Sequence, residues 1–444
     1  MKKSPIISTA EFAQRRAKLM AQIGENGIAI LSSSEVLIRN RDAEFPFRQD
    51  SDFLYLTGFN EPNAVIVLVP GREGGETILF CREKNAKTEQ WTGRMVGLDN
   101  AISDYGADDA FPIDDLDDIV PGLMENRNRV YYSVGVNPEF DKQVISWANS
   151  FKAKVRNGVQ APQEFVSLNV FLHEMRLFKS PAEQAVMRHA ANIAMSAHRI
   201  AMQATQPNKI EYEIEAEYLH TFRKNGMTPA YTTIVGGGAN GCILHYIDND
   251  MSLNDGDLLL IDAGAEYLGY ASDITRTFPV NGTFSEEQRQ LYQIVLDAQT
   301  AAIELAKPGN SWIQPHNAAV RVIATGLYEL GLLGDDPNIS LEELIEKEKY
   351  TPFYMHKTGH WLGLDVHDVG EYKRDGEWRA LEPGMTLTVE PGIYVSPDDS
   401  IDKKWWNIGI RIEDDVLITE TGNEVLTGDL LKEVDDIEQW MANA

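Results

Sequence analysis

The sequence contains few cysteines, no long apolar run and no cluster of basic residues. Cys81 and Cys242 are the only cysteines among 444 residues, too few and too far apart for a disulfide framework or a cysteine zinc site. Their scarcity favours a reducing, cytoplasmic setting. No apolar run is long enough to span a bilayer, and the amino terminus lacks the apolar core of a signal peptide. We therefore expect a protein that is neither exported nor embedded in a membrane.

Positive charge is also scarce. The chain has 68 acidic and 40 basic residues, which gives a formal net charge of -28. Nucleic-acid-binding proteins carry clustered Lys and Arg to displace counterions, and the sequence contains no such stripe. This excludes nucleic acid as a partner and indicates a solvated acidic surface. Attraction of substrates with a positively charged amino terminus is the alternative explanation.

The length and the pattern of apolar segments predict two domains, because 444 residues exceed what one hydrophobic core usually supports. Residues 8–23 have the spacing of a helix. The short segments that follow are rich in β-branched and aromatic residues, as strands are; they are 27–31, 64–69, 77–80 and 129–133. We predict an N-terminal α/β domain over residues 1–175.

A second domain is predicted over residues 176–444. Ser180, Pro181 and Glu183 form the signature of a capping box that opens a long helix. A second helix is expected at 212–223, and Ser285 with Gln288 predicts another capping box. β-rich blocks at 232–279 and 352–421 follow these helices. The order of helices and then strands, twice, indicates a structural duplication, although no sequence repeat is visible.

Carboxylates stand where buried strands end. The apolar segment 258–262 ends at Asp262, and a turn leads from it to a predicted strand at 270–278 that contains Asp273. The segment 385–390 ends at Glu390, before a Pro-Gly pair. Asp262 by itself could simply begin a turn. Several buried carboxylates together are costly unless they are paired or coordinate a metal.

The strand predicted at 409–419 adds Glu413 to this set. Period-two alternation places Arg411 and Glu413 on the face opposite Ile410 and Ile412. The ordinary interpretation of that pattern is a surface ion pair. The alternative is a further carboxylate that faces a metal site.

Histidines are concentrated in residues 355–367, which hold three of the nine in the chain. His356 and His360 have the spacing of a zinc-protease pair, but the Glu after the first His is absent and Gly359 argues against a helix. A loop or strand that presents His360 to a metal, with His356 and His367 nearby, fits better. Oxygen ligands favour ions such as Mn²⁺. Five ligands suit two ions, a kind of site that hydrolyses amides.

The ordered set of Asp262, Asp273, His360, Glu390 and Glu413 resembles the dinuclear metallopeptidases of the pita-bread fold, in particular the aminopeptidase P family. The resemblance extends over essentially the whole chain. It includes segments 48–59, 234–236, 241–245, 262–264, 273–278, 389–392 and 411–415. It implies a smaller N-terminal α/β domain followed by a C-terminal pita-bread domain, in which duplicated helix-and-strand halves surround a curved antiparallel sheet.

The resemblance also implies metal ligands and a reaction. Asp273 and Glu413 would bridge two Mn²⁺ ions, Asp262 would chelate one, and His360 and Glu390 would complete the other; Co²⁺ and Zn²⁺ are alternatives. A bridging hydroxide would attack the bond before proline in peptides with proline in second position. Metal and His367 would then stabilise the oxyanion, and Glu390 is the candidate for proton transfer.

Further residues receive roles from the same resemblance. His245 and His367 would contact substrate, although His245 follows an apolar pair and could be a core histidine. His356 would line the pocket for the proline ring. Tyr394 and Arg411 would orient ligands and substrate. Trp91 resembles a residue that reaches a neighbouring subunit's site, which implies a homo-oligomer, either a tetramer or a dimer.

Two alternatives stay open from the sequence. An Xaa-Pro dipeptidase of the same fold would have similar motifs, and the N-terminal domain favours aminopeptidase P over it. A non-catalytic binding protein of this fold would lack part of the ligand set, whereas all five ligands are present here. One departure is Lys357, which stands where the family often has glycine beside the proline pocket.

Overall fold

A computed structural model describes residues 4–334 and 339–443. The chain divides into two compact units, Ile6–Arg176 and a second that contains Leu177–Ala444. Among the described residues, no helix is both long and apolar enough to cross a membrane.

The first unit is built on a mixed six-stranded sheet. Its strands are β1 (Gly27–Ser32), β4 (Val65–Leu68), β5 (Thr77–Cys81), β6 (Asp109–Pro112), β7 (Arg129–Tyr132) and β8 (Glu164–Ser167), and a small hairpin adds β2 (Ile38–Asn40) and β3 (Ala43–Glu44). The order across the sheet is β6-β5-β4-β1-β7-β8. β1 runs antiparallel to β4 and parallel to β7. The four strands predicted from β-branched and aromatic content are confirmed.

The first unit also contains seven α-helices among the described residues. They are α1 (Thr9–Ile23), α2 (Ser51–Thr57), α3 (Ala86–Thr92), α4 (Gly97–Ser103), α5 (Leu116–Met124), α6 (Pro138–Ser150) and α7 (Asn169–Leu177). The Ser8 hydroxyl accepts a hydrogen bond from the Glu11 amide, which caps α1 at the predicted residue. Ile28, Ile30 and Val67 lie in a buried core beneath α5 and α6. The predicted α/β character of this region is confirmed.

The described part of the second unit contains six α-helices, of which the first three are those predicted from the sequence. They are α8 (Pro181–Ala204), α9 (Glu211–Lys224), α10 (Glu286–Leu305), α11 (Ile313–Glu329), α12 (Leu341–Glu346) and α13 (Val434–Ala442). Ser180 with Glu183, and Ser285 with Gln288, form complete capping boxes. Each box satisfies two amides that the first helical turn leaves unpaired. Both predicted helix starts are confirmed.

Antiparallel strands follow each group of helices. The first group is β9 (Thr228–Pro229), β10 (Ile234–Gly237), β11 (Leu258–Asp262), β12 (Ala265–Tyr267), β13 (Tyr270–Ala271) and β14 (Thr275–Pro279). The second is β15 (Lys373–Arg374), β16 (Glu377–Trp378), β17 (Thr386–Val389), β18 (Gly392–Val395), β19 (Ile408–Arg411), β20 (Asp414–Ile418) and β21 (Asn423–Val425). β11 pairs with β10 and β14, and β20 pairs with β17 and β21. The predicted repetition of helices followed by strands is present.

Two strands predicted as continuous are interrupted, and both interruptions fall at acidic residues. The segment 270–278 forms β13 and β14, with a break that contains Asp273. The segment 409–419 forms β19 and β20, with a break at 412–413. In each break a backbone amide bonds outside a regular ladder: that of Asp273 donates to the Asp415 carboxylate, and that of Glu413 donates to the Thr275 carbonyl. Apolar alternation does not reveal such long-range partners, so the predicted strands were too long.

Candidate active site

Three predicted ligands meet inside the second unit. One ligand atom each from Asp273, His360 and Glu413 lies within 4.8 Å of the other two. Asp273 and Glu413 come from the two strand breaks and are buried, with exposures of 4% and 2%. His360 Nε2 lies 3.4 Å from Asp273 Oδ2. The two strand breaks thus place carboxylates from distant parts of the chain next to the imidazole of His360, which lies in the loop at 355–367.

Asp262 and Glu390 stand beside this trio at the ends of β11 and β17. Glu390 Oε1 is 3.8 Å from His360 Nε2. The Glu390 amide donates to the Thr358 carbonyl, which ties the end of β17 to the histidine-bearing loop. Asp262 pairs with Thr275 in the β11–β14 ladder. Their side chains keep exposures of 13% for Asp262 and 18% for Glu390, so both carboxylates border open space.

The loop at 355–367 presents His360 in a defined tautomer. This loop is not helical, as Gly359 predicted. A Cβ on Gly359 would lie 2.0 Å from the Thr388 carbonyl oxygen, so only glycine permits this approach to β17. His360 Nδ1 lies 2.9 Å from the Trp361 carbonyl oxygen, which can only accept a hydrogen bond. Nδ1 therefore carries a proton, and Nε2 faces the carboxylates, where a metal ion could replace the proton on Nε2.

The electrostatics of the cluster show a deficit of positive charge. Burial raises the pKa of Glu413 well above its usual value, and the neighbouring carboxylates raise it further. Burial likewise raises the pKa of Asp262, against the effect of Arg411, and that of Glu390 to about 7. For Asp273, burial acts in the same direction, but the His360 hydrogen bond brings the pKa below the usual value. A divalent cation would stabilise all four carboxylates, so the donor set fits a metal centre.

Arg411 connects the carboxylates to the aromatic side of the site. Its Nη2 donates to Asp262 Oδ2 at 2.7 Å, and its Nη1 donates to the Tyr394 hydroxyl at 3.0 Å. His356 Nδ1 donates to the Lys357 carbonyl, so His356 Nε2 accepts from the Tyr394 hydroxyl at 2.9 Å. Arg411 is only 4% exposed. The ordinary interpretation of the 409–419 pattern, a surface pair of Arg411 with Glu413, is therefore excluded, because both side chains are buried and line the site.

The remaining predicted histidines face open space. A cavity of about 410 Å³ is lined by the five candidate ligands, by His245, His356, His367 and Arg411, and by Leu244, Lys357, Gly359 and Tyr372. The His367 ring packs edge-on against that of His360, with centroids 4.3 Å apart. His245 is exposed, so its interpretation as a core histidine is wrong. Histidine rings and carboxylates thus line the same cavity.

Comparisons with known proteins agree with this geometry. Residues 185–420 match metallopeptidase family M24, and residues 12–131 match the aminopeptidase P N-terminal domain. The Xaa-Pro aminopeptidase of Escherichia coli K12 is 44% identical over 99% of both chains. The solved structure of aminopeptidase PepP from Pseudomonas aeruginosa is 55% identical, with a TM-score of 0.96 over 98% of both chains.

The chain belongs to the Xaa-Pro aminopeptidases of metallopeptidase family M24. It also resembles a zinc-substituted E. coli aminopeptidase P in complex with product, with a TM-score of 0.95 and 44% identity over 98% of this chain and 99% of that one. The pita-bread fold and the metallopeptidase class expected from the sequence are confirmed. As a metallopeptidase of this family, the enzyme uses divalent metal ions.

Sequence reasoning missed three residues that hold these ligands in this aminopeptidase. The Tyr231 hydroxyl lies 2.5 Å from both Asp262 Oδ1 and Asp273 Oδ1. The Thr275 hydroxyl donates to Glu413 Oε2 at 2.6 Å, and the Asp415 carboxylate accepts a hydrogen bond from the Asp273 amide. Thr275 and Asp415 stand two residues from predicted ligands, a spacing that could have singled them out. Tyr231 lies 31 residues before Asp262, and no local pattern points to it.

Trp91 belongs to the first unit, whereas the other predicted site residues belong to the second. It belongs to α3 of the first unit and is 89% exposed. The proposed role of Trp91 at a neighbouring subunit's site stays a prediction.

Proposed function

We propose that this enzyme binds two Mn²⁺ ions through Asp262, Asp273, His360, Glu390 and Glu413, and removes the first residue from peptides with proline in second position. The observation that carries the proposal is the meeting of Asp273, His360 and Glu413 within 4.8 Å. Buried carboxylates at this density require cations. Asp273 and Glu413 are central to the cluster and would be shared between the ions, with Asp262 on one side and His360 and Glu390 on the other.

The bound ions would supply Lewis-acid polarisation of the scissile carbonyl and hydroxide as the nucleophile at neutral pH. Co²⁺ or Zn²⁺ would offer related chemistry, and a zinc-substituted relative has been solved with product. Oxygen-rich donor sets favour Mn²⁺ over a softer ion. Mn²⁺ is therefore the first choice for reconstitution.

The protein's own side chains would handle the proton and the charge. Glu390 borders the cavity next to His360, so its carboxylate can take the proton from the attacking water and return it to the prolyl nitrogen that leaves. His367 lies against His360 and can donate a hydrogen bond to the carbonyl oxygen as negative charge develops there. His245 contacts the peptide on the exposed wall of the same cavity.

Proline would bind on the aromatic side of the cavity. His356 and Tyr394 are held by the chain of hydrogen bonds from Arg411, which fixes their rings at a centroid separation of 5.6 Å. Burial lowers the pKa of His356 to about 4, so this ring is neutral and suits an apolar proline. A rigid, uncharged wall next to the metal centre favours a compact ring over a flexible side chain.

An oligomer is part of the proposal. Exposed Trp91 would enter the cavity of a second copy of the chain and contact the peptide there. A tetramer is the favoured state and a dimer the alternative. Sedimentation at the concentration used for assay tests this component, and a fully active monomer would contradict it.

Metal analysis and a substrate panel test the core of the proposal. After chelation, dialysis and Mn²⁺ return, we expect two ions per chain and recovery of activity with both. The active protein should cleave Xaa-Pro-Yaa, leave Xaa-Ala-Yaa intact and act poorly on Xaa-Pro. Retention of no ion would overturn the metal centre, and cleavage of Xaa-Pro alone would make the enzyme a dipeptidase.

A further inference from the structure

A lysine and an aspartate that are not among the candidate ligands form a buried ion pair in the second unit. Lys179 Nζ donates to Asp368 Oδ2 at 2.9 Å, and each of the two side chains is only 1% exposed. Burying two charges is costly, and such a pair is tolerated only when its geometry is good. Neither residue has a role in the reaction proposed above. Asp368 directly follows His367, the proposed donor to the carbonyl oxygen of the substrate.

The backbone of Lys179 is fixed from two sides. Its amide donates to the carbonyl of Gly384, in the turn before β17, at 2.8 Å. Its carbonyl accepts a hydrogen bond from Gln184 Nε2 at 2.9 Å. The next residue, Ser180, is the N-cap of α8. The lysine therefore projects from a well-held part of the chain, and its ammonium group can keep a partner in one place.

Asp368 closes the turn at 361–368. Its amide donates to the Trp361 carbonyl at 2.8 Å, and its Oδ1 accepts from the Asp365 amide at 3.4 Å. Space around the carboxylate is tight, since a Cβ on Gly363 would lie 2.1 Å from Asp368 Oδ2 and 2.8 Å from Lys179 Cε. The turn is thus packed against the ion pair, and its shape depends on the position of the Asp368 side chain.

The two histidines of this loop are held differently. His360 lies against β17: its amide donates to the Thr388 hydroxyl at 3.1 Å, and its carbonyl accepts from the Thr388 amide at 2.9 Å. The exposed ring of His367 instead packs edge-on against that of His360 and faces the cavity. The place of His367 is set by the backbone of the turn, which Asp368 anchors. Loss of the ion pair should therefore displace His367 more than His360.

We infer that the buried ion pair of Lys179 with Asp368 positions His367, and that both are positioning residues for turnover and not for metal binding. This inference rests on the proposed function, in which His367 donates a hydrogen bond to the carbonyl oxygen. Such a donor is effective only when it points to the place where negative charge develops. A displacement of about 1 Å can lower a rate by about 100-fold. The ion pair ties the residue next to this donor to the start of α8.

Removal of both charges tests the inference without leaving a buried charge unpaired. Lys179→Met/Asp368→Asn keeps similar side-chain volumes but has no ion pair. With the Mn²⁺-loaded full-length enzyme and Ala-Pro-Ala, we expect kcat to fall about tenfold. KM should stay within about twofold, because the hydrogen bond from His367 forms in the transition state. Mn²⁺ affinity, measured by calorimetric titration, should equal that of the wild type, since β17 holds His360.

The matched control removes another ion pair of the same unit. Arg188 in α8 donates to Glu424 in β21 at 2.7 Å and 2.6 Å, and neither residue lines the active-site cavity. Arg188→Met/Glu424→Gln should keep the wild-type kcat. An equal fall in this control would overturn the inference. So would a wild-type kcat in Lys179→Met/Asp368→Asn, or a loss of Mn²⁺ affinity that accounts for its lower kcat.

A milder variant covers the case in which Lys179→Met/Asp368→Asn does not fold. Asp368→Asn by itself keeps the shape of the side chain and an acceptor for Lys179, but the hydrogen bond loses the charge on its acceptor. We expect kcat to fall about threefold with KM unchanged, because hydrogen bonds between two charged groups are the stronger ones. A wild-type kcat in Asp368→Asn would overturn the inference.

His367→Ala shows whether the ion pair acts through His367. On that background, Lys179→Met/Asp368→Asn should change kcat by less than about twofold, because the group that the pair positions is already absent. A further tenfold fall would overturn the inference. If His367→Ala lowers kcat and the ion-pair variants do not, the inference alone fails. If His367→Ala keeps the wild-type kcat, or the Mn²⁺-loaded wild type cleaves no Xaa-Pro peptide, the proposed function fails and this inference with it.

Discussion

Glu413 and Asp414 are neighbours in the chain and both are buried, yet their surroundings are opposite. Asp414 is fully buried and accepts hydrogen bonds from Arg276 Nη2 and Lys432 Nζ, both at 2.7 Å. Burial would raise its pKa, but these two cations bring it below the usual value. Glu413 faces other carboxylates, and its pKa is raised. The difference separates a carboxylate that the protein neutralises itself from one that we propose is neutralised by a metal.

Asp414 also supports the part of the chain from which Glu413 projects. Arg276 donates to the Glu413 carbonyl at 2.6 Å as well as to Asp414. Gln299 and Thr427 add hydrogen bonds to the Asp414 carboxylate. A self-compensated cluster thus holds the backbone at the break between β19 and β20. The Glu413 carboxylate faces other carboxylates instead and belongs to the proposed metal centre.

The largest expected effect is a loss of activity on substitution of Glu413, which substitution of Asp414 should not reproduce. Glu413→Gln keeps the shape of the side chain but removes the charge that two ions would share. We expect kcat/KM to fall on the order of 10³-fold at saturating Mn²⁺, since a shared ligand influences both ions. The unfolding free energy of the metal-free protein should change by less than about 1 kcal/mol, because no partner charge is left unpaired.

The control for this variant is Glu420→Gln, which changes an exposed glutamate and should retain full activity. Peptide hydrolysis and denaturant unfolding of the chelated protein supply the two measurements. Wild-type turnover by Glu413→Gln would remove Glu413 from the metal centre.

Asp414→Asn is expected to give the reverse pattern. Removing this charge leaves Arg276 and Lys432 without their carboxylate in a buried place, and such a loss costs about 3 kcal/mol. The midpoint of urea unfolding should shift accordingly, while the molecules that stay folded keep much of their activity. An unchanged midpoint combined with lost activity would assign Asp414 to the reaction and erase the contrast with Glu413.

Tyr231→Phe tests whether metal affinity depends on a hydrogen bond that orients two of the candidate ligands. Without its hydroxyl, Asp262 and Asp273 lose a common hydrogen-bond donor. We expect Mn²⁺ affinity to fall about tenfold, within the range for residues that orient metal ligands, as measured by calorimetric titration of the metal-free enzyme. Tyr218→Phe removes a buried hydroxyl that bonds to His198 and should leave Mn²⁺ affinity as in the wild type.

Lys432→Met gives the smallest expected effect. Its side chain is 21% exposed, and Arg276 remains to neutralise Asp414. We expect a loss of about 1 kcal/mol in unfolding free energy, the usual magnitude for one hydrogen bond, with Mn²⁺ affinity unchanged. If the unfolding free energy fell as much as in Asp414→Asn, Lys432 and not Arg276 would neutralise most of the Asp414 charge.

Much of the candidate site could be predicted from local patterns. Asp262 and Glu390 end strands where the apolar runs stop, and the two capping boxes mark helix starts. The strand breaks at Asp273 and Glu413 could not be predicted, because apolar alternation continues through both. What interrupts the strands is long-range: Asp415 holds the Asp273 amide from 142 positions away. Tyr231 was missed for the same reason.

The sequence by itself determined the types and order of the candidate ligands, the helix starts at the two capping boxes, and the loop around Gly359, since these depend on residue chemistry and spacing over a few positions. Only the tertiary structure decided which buried carboxylates have cations and which do not. Glu413 and Asp414 are adjacent, but Arg276 and Lys432 reach Asp414 across 138 and 18 positions. Burial and Coulomb interactions depend on distance in space, so only the fold shows that Asp414 is compensated and Glu413 is not.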